Sequence, residues 1–230
     1  MCTRYVFTDP AEAIRDLFRI TAPLPNWPPN YNVAPTHIMP VIRPAGSGAR
    51  AGGEDGAEGG REIALMEWGL VPFFSKDGAR SFTTFNARAE ELRGKPMYRE
   101  PFKARRCVVP ATGYIEFTGP KGDKTAHLFT RTDGKPMALA GLWDRWTSAD
   151  RSQRKESYTI VTTAPSRFAA AFHDRMPCVL ETGDVEAWLR ASPDEAASLM
   201  RPAADVLAER PLGKAINNVK NNAPELLAEV

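Results

Sequence analysis

The sequence predicts an α+β fold: a single domain with a mainly antiparallel, barrel-like β-sheet core and flanking helices. Three observations carry this reading. Strand-like runs crowd residues 105–163 and are separated by Gly-Pro and Asp-Gly turn signals. Helix-period segments are appended before and after that stretch. With 230 residues the chain can bury a core without staples. Neither a repeat nor a linker divides it, so residues 1–230 are read as one domain.

Taken in order, residues 2–7 (CTRYVF) form a short strand or extended arm. Asp9-Pro10 opens a helix that places Ile14, Leu17 and Phe18 on one face. Five prolines between 22 and 35 dictate an irregular, extended loop. HIMPVIR (37–43) is a strand, and Pro40 within it points to a sheet edge. Residues 45–60 are rich in Gly, Ala and acids and read as a flexible, solvated hairpin insertion. A strand resumes over 63–70. The stretch 73–106 is less regular, with a short helix over 87–92. Strands follow at 105–111, 114–117, 126–131, 137–143 and 157–163. A helix is expected over 164–173, two more over 184–190 and 193–200, and a last strand over 212–216 before an Asn-rich tail.

Composition narrows the function classes. There are 30 basic and 28 acidic side chains, a net charge of +2, so any nucleic-acid surface must be a local patch. The three cysteines, Cys2, Cys107 and Cys178, lie in no metal-ligand spacing, and with three histidines a zinc site is not expected. No apolar run has the length of a membrane span or the form of a signal peptide. A reduced, cytoplasmic protein without cofactor is the expectation.

Cys2 has unusual chemistry available to it. Removal of Met1 would leave an α-amine and a thiol on adjacent carbons, with reference pKa values of about 7.7–8.0 and about 8.5. Such a 1,2-aminothiol condenses with an aldehyde to an imine, which the thiol closes to a five-membered thiazolidine. It is also a self-contained nucleophile and base for amide chemistry. The alternative is a small apolar residue in an arm. Cys107 and Cys178, inside CVVP and CVL, read as core.

Acid–base candidates follow from pattern. In TGYIEF, alternation places Tyr114 and Glu116 on one face and Ile115 and Phe117 on the other. A desolvated Glu116 would have a raised pKa suited to proton transfer; an edge strand would instead turn it to water. His173 ends the expected helix, whose C-terminus would favour its protonated form, and reads either as a proton-transfer group or as a cap. Asn86 looks like a helix start. His37 and His127 read as structural. Between Lys76 and Arg106 nine basic residues face four acidic ones, with Trp68, Phe73, Phe74, Phe82 and Phe85 in or just before the stretch. That mixture suits phosphate contacts and base stacking, or equally a solvated face over core aromatics.

Together these segments resemble the SOS response-associated peptidase (SRAP) family of abasic-site shielding proteins. The resemblance rests on Met1-Cys2 with Arg4, YNVAPT (31–36), WGLVP (68–72), FNARAE (85–90), RRCVVPATGYIEF (105–117), AGLW (140–143), TIVTTAP (159–165), HDRMP (173–177) and NNVKNN (217–222), in order along almost the whole chain. It implies trapping of abasic sites in single-stranded DNA in the DNA damage response, through a thiazolidine on Cys2 after Met1 removal, and peptidase-like self-processing with lyase-type chemistry. It implies Cys2, Asn86, Glu116 and His173 as catalytic residues, Arg4 and Arg88 at the DNA backbone, Trp68 beside kinked DNA and Pro35 in the loop next to the site. No metal or membrane is implied, and a monomer in the cytoplasm, on the nucleoid when bound to damaged DNA, is expected. The chain departs from the family pattern at Ile115 and Phe117, where aromatics and tryptophan are common, and at Phe73-Phe74, where Ser-Trp is common. An N-terminal-cysteine amidase and a non-covalent single-strand binding module are the competing readings.

Overall fold

The computed structural model describes residues 2–47, 60–79, 84–120, 122–203 and 206–228. Its elements are β1 (Arg4–Phe7), α1 (Ala11–Phe18), β2 (Asn30–Val33), β3 (Ile38–Pro44), β4 (Arg61–Trp68), β5 (Asn86–Arg88), α2 (Pro96–Ala104), β6 (Arg106–Ala111), β7 (Gly113–Thr118), β8 (Thr125–Arg131), β9 (Met137–Thr147), β10 (Arg154–Thr163), β11 (Met176–Pro177), β12 (Val179–Leu180), α3 (Val185–Arg190), α4 (Pro193–Ser198) and β13 (Leu207–Leu212).

Five strands close a mixed barrel in the order β10-β4-β3-β6-β9 and back to β10. The β10–β4 pair is parallel, with Ser157 opposite Glu67 and Tyr158 opposite Trp68; the other four seams are antiparallel. Closure brings backbones close at Gly141, which pairs with Cys107 on one side and Ile160 on the other. A Cβ at Gly141 would lie 2.9 Å from Cys107 Sγ and 3.1 Å from the Thr159 carbonyl, so only glycine fits there without displacement. Beside the barrel lies a five-stranded antiparallel sheet in the order β13-β8-β7-β1-β2. Tyr5, Phe7, Tyr114 and Phe129 of this sheet join the main core with the barrel. Val6, Ile115, Ala126 and Leu128 form a second cluster with Leu212, Ile216 and Leu226 from the C-terminal segment. Both faces of β7 are therefore covered.

Several sequence expectations are corrected. The proline-rich loop contains β2, held by β1. Pro40 is not on an edge: β3 lies between β4 and β6, and its ladder to β6 is the single pair Ile42–Val108, which leaves Pro40 outside that ladder. The helix expected over 87–92 is replaced by β5 and a 3₁₀ turn over Ala89–Glu91, because β10 offers Asn86–Arg88 a parallel ladder through Ile160–Thr162. An unexpected helix, α2, begins with Pro96 at its first position, where a missing N–H costs nothing. The helix expected up to His173 is one 3₁₀ turn, Ala169–Ala171. The last strand lies earlier than expected, at β13, and Lys214–Asn217 is a 3₁₀ turn. The hairpin flanks of the 45–60 insertion are in place, with the Ala45 amide donating to the Gly60 carbonyl at 2.9 Å; residues 48–59 lie outside the described residues. All three cysteines are free and buried, as expected of Cys107 and Cys178.

Arg106 anchors the helical layer to the barrel. It is 4% exposed and donates to the backbone carbonyls of Phe102, Trp188 and Ala191, tying α2 and α3 to the start of β6. We expect Arg106→Leu to leave those carbonyls without their donor and to destabilise the fold by about 3 kcal/mol, read by chemical denaturation. A loss below about 0.5 kcal/mol would show that water takes over these bonds.

Candidate active site

The N-terminal segment forms one wall of the site. β1 is an interior strand, flanked by β2 and β7, with Arg4 opposite Ile115 and Tyr5 opposite Tyr114. This pairing carries Cys2 into the core, where it is 0% exposed. Its thiol lies 3.3 Å from the Arg4 carbonyl and donates to it. Asn86 meets Cys2 from the opposite side: its Nδ2 donates to the Cys2 carbonyl at 2.7 Å. Asn86 is held there by the β5–β10 ladder and is buried, so its place in a strand, rather than at a helix start, is what aims it. Its Oδ1 is buried without a hydrogen-bond partner among the described residues.

Glu116 is 4% exposed on β7, which settles the alternative of a carboxylate turned to water. Desolvation pushes its pKa up to about 7, and the chain's terminal amine pulls against that rise. Burial, and secondarily the charge of Glu116, pushes the Cys2 thiol far above its ordinary value. His173 is half-buried after the 3₁₀ turn. No α-helix C-terminus favours its cation, and desolvation, with the terminal amine next, lowers its pKa. At Nδ1 it faces two partners: the Arg175 amide, which donates at 3.0 Å, and the Asp174 carboxylate at 2.7 Å. One nitrogen cannot both accept and donate, so the two neutral tautomers compete for it.

A cleft of about 610 Å³ opens over this wall, lined by Thr3, Arg4, Glu116, Phe117, Lys124, His173 and Asn217 among others. Arg4 is braced: Nη1 donates to Asn32 Oδ1 at 2.7 Å and to the Ile216 carbonyl at 3.1 Å, and its guanidinium lies 5.8 Å from the Phe117 ring centroid. Sequence reasoning missed Lys124, Thr3 and Asn217 as lining residues. Lys124 sits in a turn after Gly119-Pro120, and no motif marks it. It also passed over the clamp behind His173, where Arg175 forms a two-point ion pair with Glu90 at 2.7 and 2.9 Å and donates to the Thr162 carbonyl. Both residues lie inside the FNARAE and HDRMP segments, which was the available signal.

Other expected residues fall elsewhere. Trp68 is 0% exposed. Its Nε1 donates to the Phe85 carbonyl at 2.9 Å, and its ring stacks on Tyr158 and meets Tyr5 edge-on. It thus offers no exposed face and instead packs the core between Tyr5, Phe85 and Tyr158. Pro35 is half-buried in the turn after β2, and Arg88 is exposed at the end of β5; neither lines the cleft. The basic stretch is largely compensated within the fold, by Lys95–Glu91, Lys103–Glu100, Arg105–Asp144 and Arg93–Asp194 contacts and by burial of Arg106. Phe73 and Phe74 are exposed, Phe85 is half-buried against Trp68, and Arg80 and Phe82 lie outside the described residues. His127 is bracketed by Glu209 at 2.6 Å and Thr118 at 2.8 Å, and His37 by Asn30 and the Ala34 amide, both within the frame of the fold. Among the described residues no three His, Cys, Asp or Glu side chains are grouped to hold a metal ion, and no helix is long and apolar enough to cross a membrane.

Comparison with known proteins places the chain in a family and a fold. A family model described as SOS response associated peptidase (SRAP) matches residues 1–219. The chain is 32% identical to the abasic site processing protein YoqW of Bacillus subtilis over 235 residues, covering 99% of each. It is 27% identical to the abasic site processing protein HMCES of Xenopus tropicalis, over 90% of this chain and 70% of the other. A protein of Bacteroides thetaiotaomicron shares the fold, with a TM-score of 0.81 over the whole of both chains at 23% identity.

The raised Glu116 pKa has a linked stability consequence. The unfolded carboxyl releases its proton near 4.5, the folded one near 7. Between those values the folded state binds the extra proton, so stability falls as pH rises through the window and levels off above it. The fall is about 3 kcal/mol. Glu116→Gln should flatten it, so that the variant gains on the wild type between about pH 4 and about pH 8. Urea denaturation at both pH values checks this; a constant difference would show that Glu116 ionises normally.

Proposed function

The chain belongs to the SOS response associated peptidase (SRAP) family, and on that premise we propose that it processes abasic sites in single-stranded DNA by covalent capture through Cys2. The observation that carries the proposal is a buried residue-2 cysteine placed directly before Thr3 and Arg4, which line the cleft, and coupled to Glu116, a carboxyl of the same cleft that titrates near neutrality.

Removal of Met1 makes Cys2 a 1,2-aminothiol and places the ammonium on the residue that bears the thiol. A positive charge that close favours the thiolate and opposes the desolvation that holds the thiol protonated. The abasic sugar is mostly a closed hemiacetal, and its opening needs proton transfer, for which Glu116 and His173 are suited. The amine then adds to the aldehyde carbon and water leaves, giving an imine. The sulfur gives up its proton and adds to the imine carbon, the C=N electron pair moves to nitrogen, and that nitrogen takes up the proton, which gives the thiazolidine. Asn86 keeps the Cys2 backbone fixed during both additions. The competition at Nδ1 of His173 keeps both neutral tautomers within reach, which suits a group that takes a proton at one nitrogen and releases it at the other. Arg4 and Lys124 supply positive charge along the cleft for the DNA backbone, with Arg88 and Pro35 farther out. Phe117 is the aromatic surface in the cleft available for stacking. Removal of Met1 by the chain itself is the peptidase activity this reading includes.

On a denaturing gel, mature protein with a single-stranded oligonucleotide bearing one abasic site should give a heat-stable shifted band, absent with intact DNA and with Cys2→Ala. Glu116→Gln should slow band formation about a hundredfold, the usual scale of a general acid–base contribution. Absence of the band from protein whose mass shows Met1 removed would overturn covalent capture. Cleavage of an added peptide would then point to the amidase reading.

A further inference from the structure

Three buried tyrosines, Tyr5, Tyr114 and Tyr158, share the main core with Cys2. Tyr5 and Tyr158 are each other's partner, with their oxygens 2.8 Å apart. Tyr114 is different. It is 1% exposed, and its hydroxyl is buried with no hydrogen-bond partner among the described residues. Buried hydroxyls are normally paired, because leaving one unpaired forfeits its hydration without return. Nor does packing require it. The ring stacks on Phe129, with centroids 4.7 Å apart and planes 3° from parallel, and a phenyl ring would fill the same space. Some other demand keeps the oxygen there.

Its position identifies the demand. Tyr114 shares a face of β7 with Glu116, two residues on, and stands opposite Tyr5 of β1, three residues from Cys2. Burial first, and then charge on Cys2 or on Glu116, opposes its ionisation, so at neutral pH it is an O–H donor within electrostatic reach of both groups. We propose that Tyr114 is a further catalytic residue of this site, whose hydroxyl donates a hydrogen bond to the Cys2 sulfur as the thiol loses its proton.

The inference rests on the covalent-capture reading and adds a group to it. In the resting site the S–H donates to the Arg4 carbonyl. When the thiol passes its proton to the Glu116 carboxylate, the sulfur gains a full negative charge inside a desolvated core. A neutral O–H donor stabilises that charge without adding a competing one. Glu116 passes that proton on to the imine nitrogen, the sulfur bonds to the resulting iminium carbon, and the C=N pair returns to nitrogen. No co-reactant is needed, and Tyr114 keeps its own proton throughout. Among the described residues, the ionisable groups coupled electrostatically to the sulfur are Glu116 and Tyr114 from β7, Tyr5 from β1 and Tyr158 from β10, besides the terminal amine. A change made at Tyr114 alone therefore leaves the others in place.

The test is Tyr114→Phe in the mature full-length protein, with two readouts beside thermal stability. The first is the single-turnover rate of adduct formation with an abasic oligonucleotide from about pH 6 to about pH 9. The second needs no DNA: the pH dependence of Cys2 alkylation by a small haloacetamide, followed by peptide mass spectrometry. We expect adduct formation at neutral pH to slow about tenfold and the Cys2 alkylation midpoint to rise by about one pH unit. The melting temperature should hold or rise, since no internal bond is lost. An unchanged rate and an unchanged alkylation midpoint would overturn the proposal, as would a fall in melting temperature, which would reveal a structural partner for the hydroxyl. If the wild type forms no adduct while Tyr114→Phe still raises the alkylation midpoint, covalent capture fails and the Tyr114–Cys2 interaction stands.

Discussion

The fold depends on one unusual constraint: its first strand is an interior strand. Chain termini ordinarily fray, because few contacts hold them. Here β1 is paired on both sides, and Tyr5, Val6 and Phe7 are fully buried. Residue 2 therefore inherits the rigidity of the sheet. The Asn86–Cys2 bond completes the arrangement by tying the terminus to β5, and through the β5–β10 ladder to the closed barrel. The two β-layers meet where the chain begins, and the cleft lies over that meeting point. Anything that loosened β1 would detach Cys2 from the carboxyl, the imidazole and the amide together.

Burial then sets the charge state of the site. A thiol, a carboxyl and an imidazole are gathered with little water, and each is pushed toward its neutral form: the thiol and the carboxyl up, the imidazole down. Only the carboxyl ends near neutrality. The resting site thus favours neutral groups. The positive charge of the terminal amine pulls both the thiol and the carboxyl back toward ionisation, and desolvation outweighs it at both.

Much of this was legible in the sequence because the relevant signals were local. The strand pattern from 105 to 163, α1, α3 and α4 follow from periodicity and turn residues, and Glu116 followed from a carboxyl in an apolar strand with Tyr114 on its face. What was not legible depended on tertiary pairing. Asn86 has the look of a helix cap, yet the ladder offered by Ile160–Thr162 outweighs that preference. Pro40 signals an edge, yet β3 needs only one pair with β6. The run of alanines before His173 favours a helix. It yields one turn because Phe168 and Phe172 are drawn onto Phe129, and the chain must turn at once into β11. Trp68 was misplaced for a related reason: sequence shows that an aromatic is present but not which side of the barrel wall it occupies.

The departures from the family pattern can now be ranked by where they fall. Ile115 points away from the site, into the cluster with Ile216 and Leu226, so the loss of an aromatic there changes how the C-terminal segment packs. Phe73 and Phe74 belong to the far end of the barrel, where the Phe73 amide donates to Asp144 at 3.0 Å. Asp144 pairs with Ser157, three residues along β10 from the Ile160 that holds Asn86, a separation of about 10 Å at strand spacing. Neither change reaches Cys2. Phe117 does lie at the site. It lines the cleft, and the braced Arg4 guanidinium sits against its ring. A phenyl in place of an indole keeps that cation–π contact but gives up ring area for stacking. On the proposed reading the consequence falls on how the cleft would hold a base, because the Cys2–Asn86 contact involves neither Phe117 nor the Arg4 side chain.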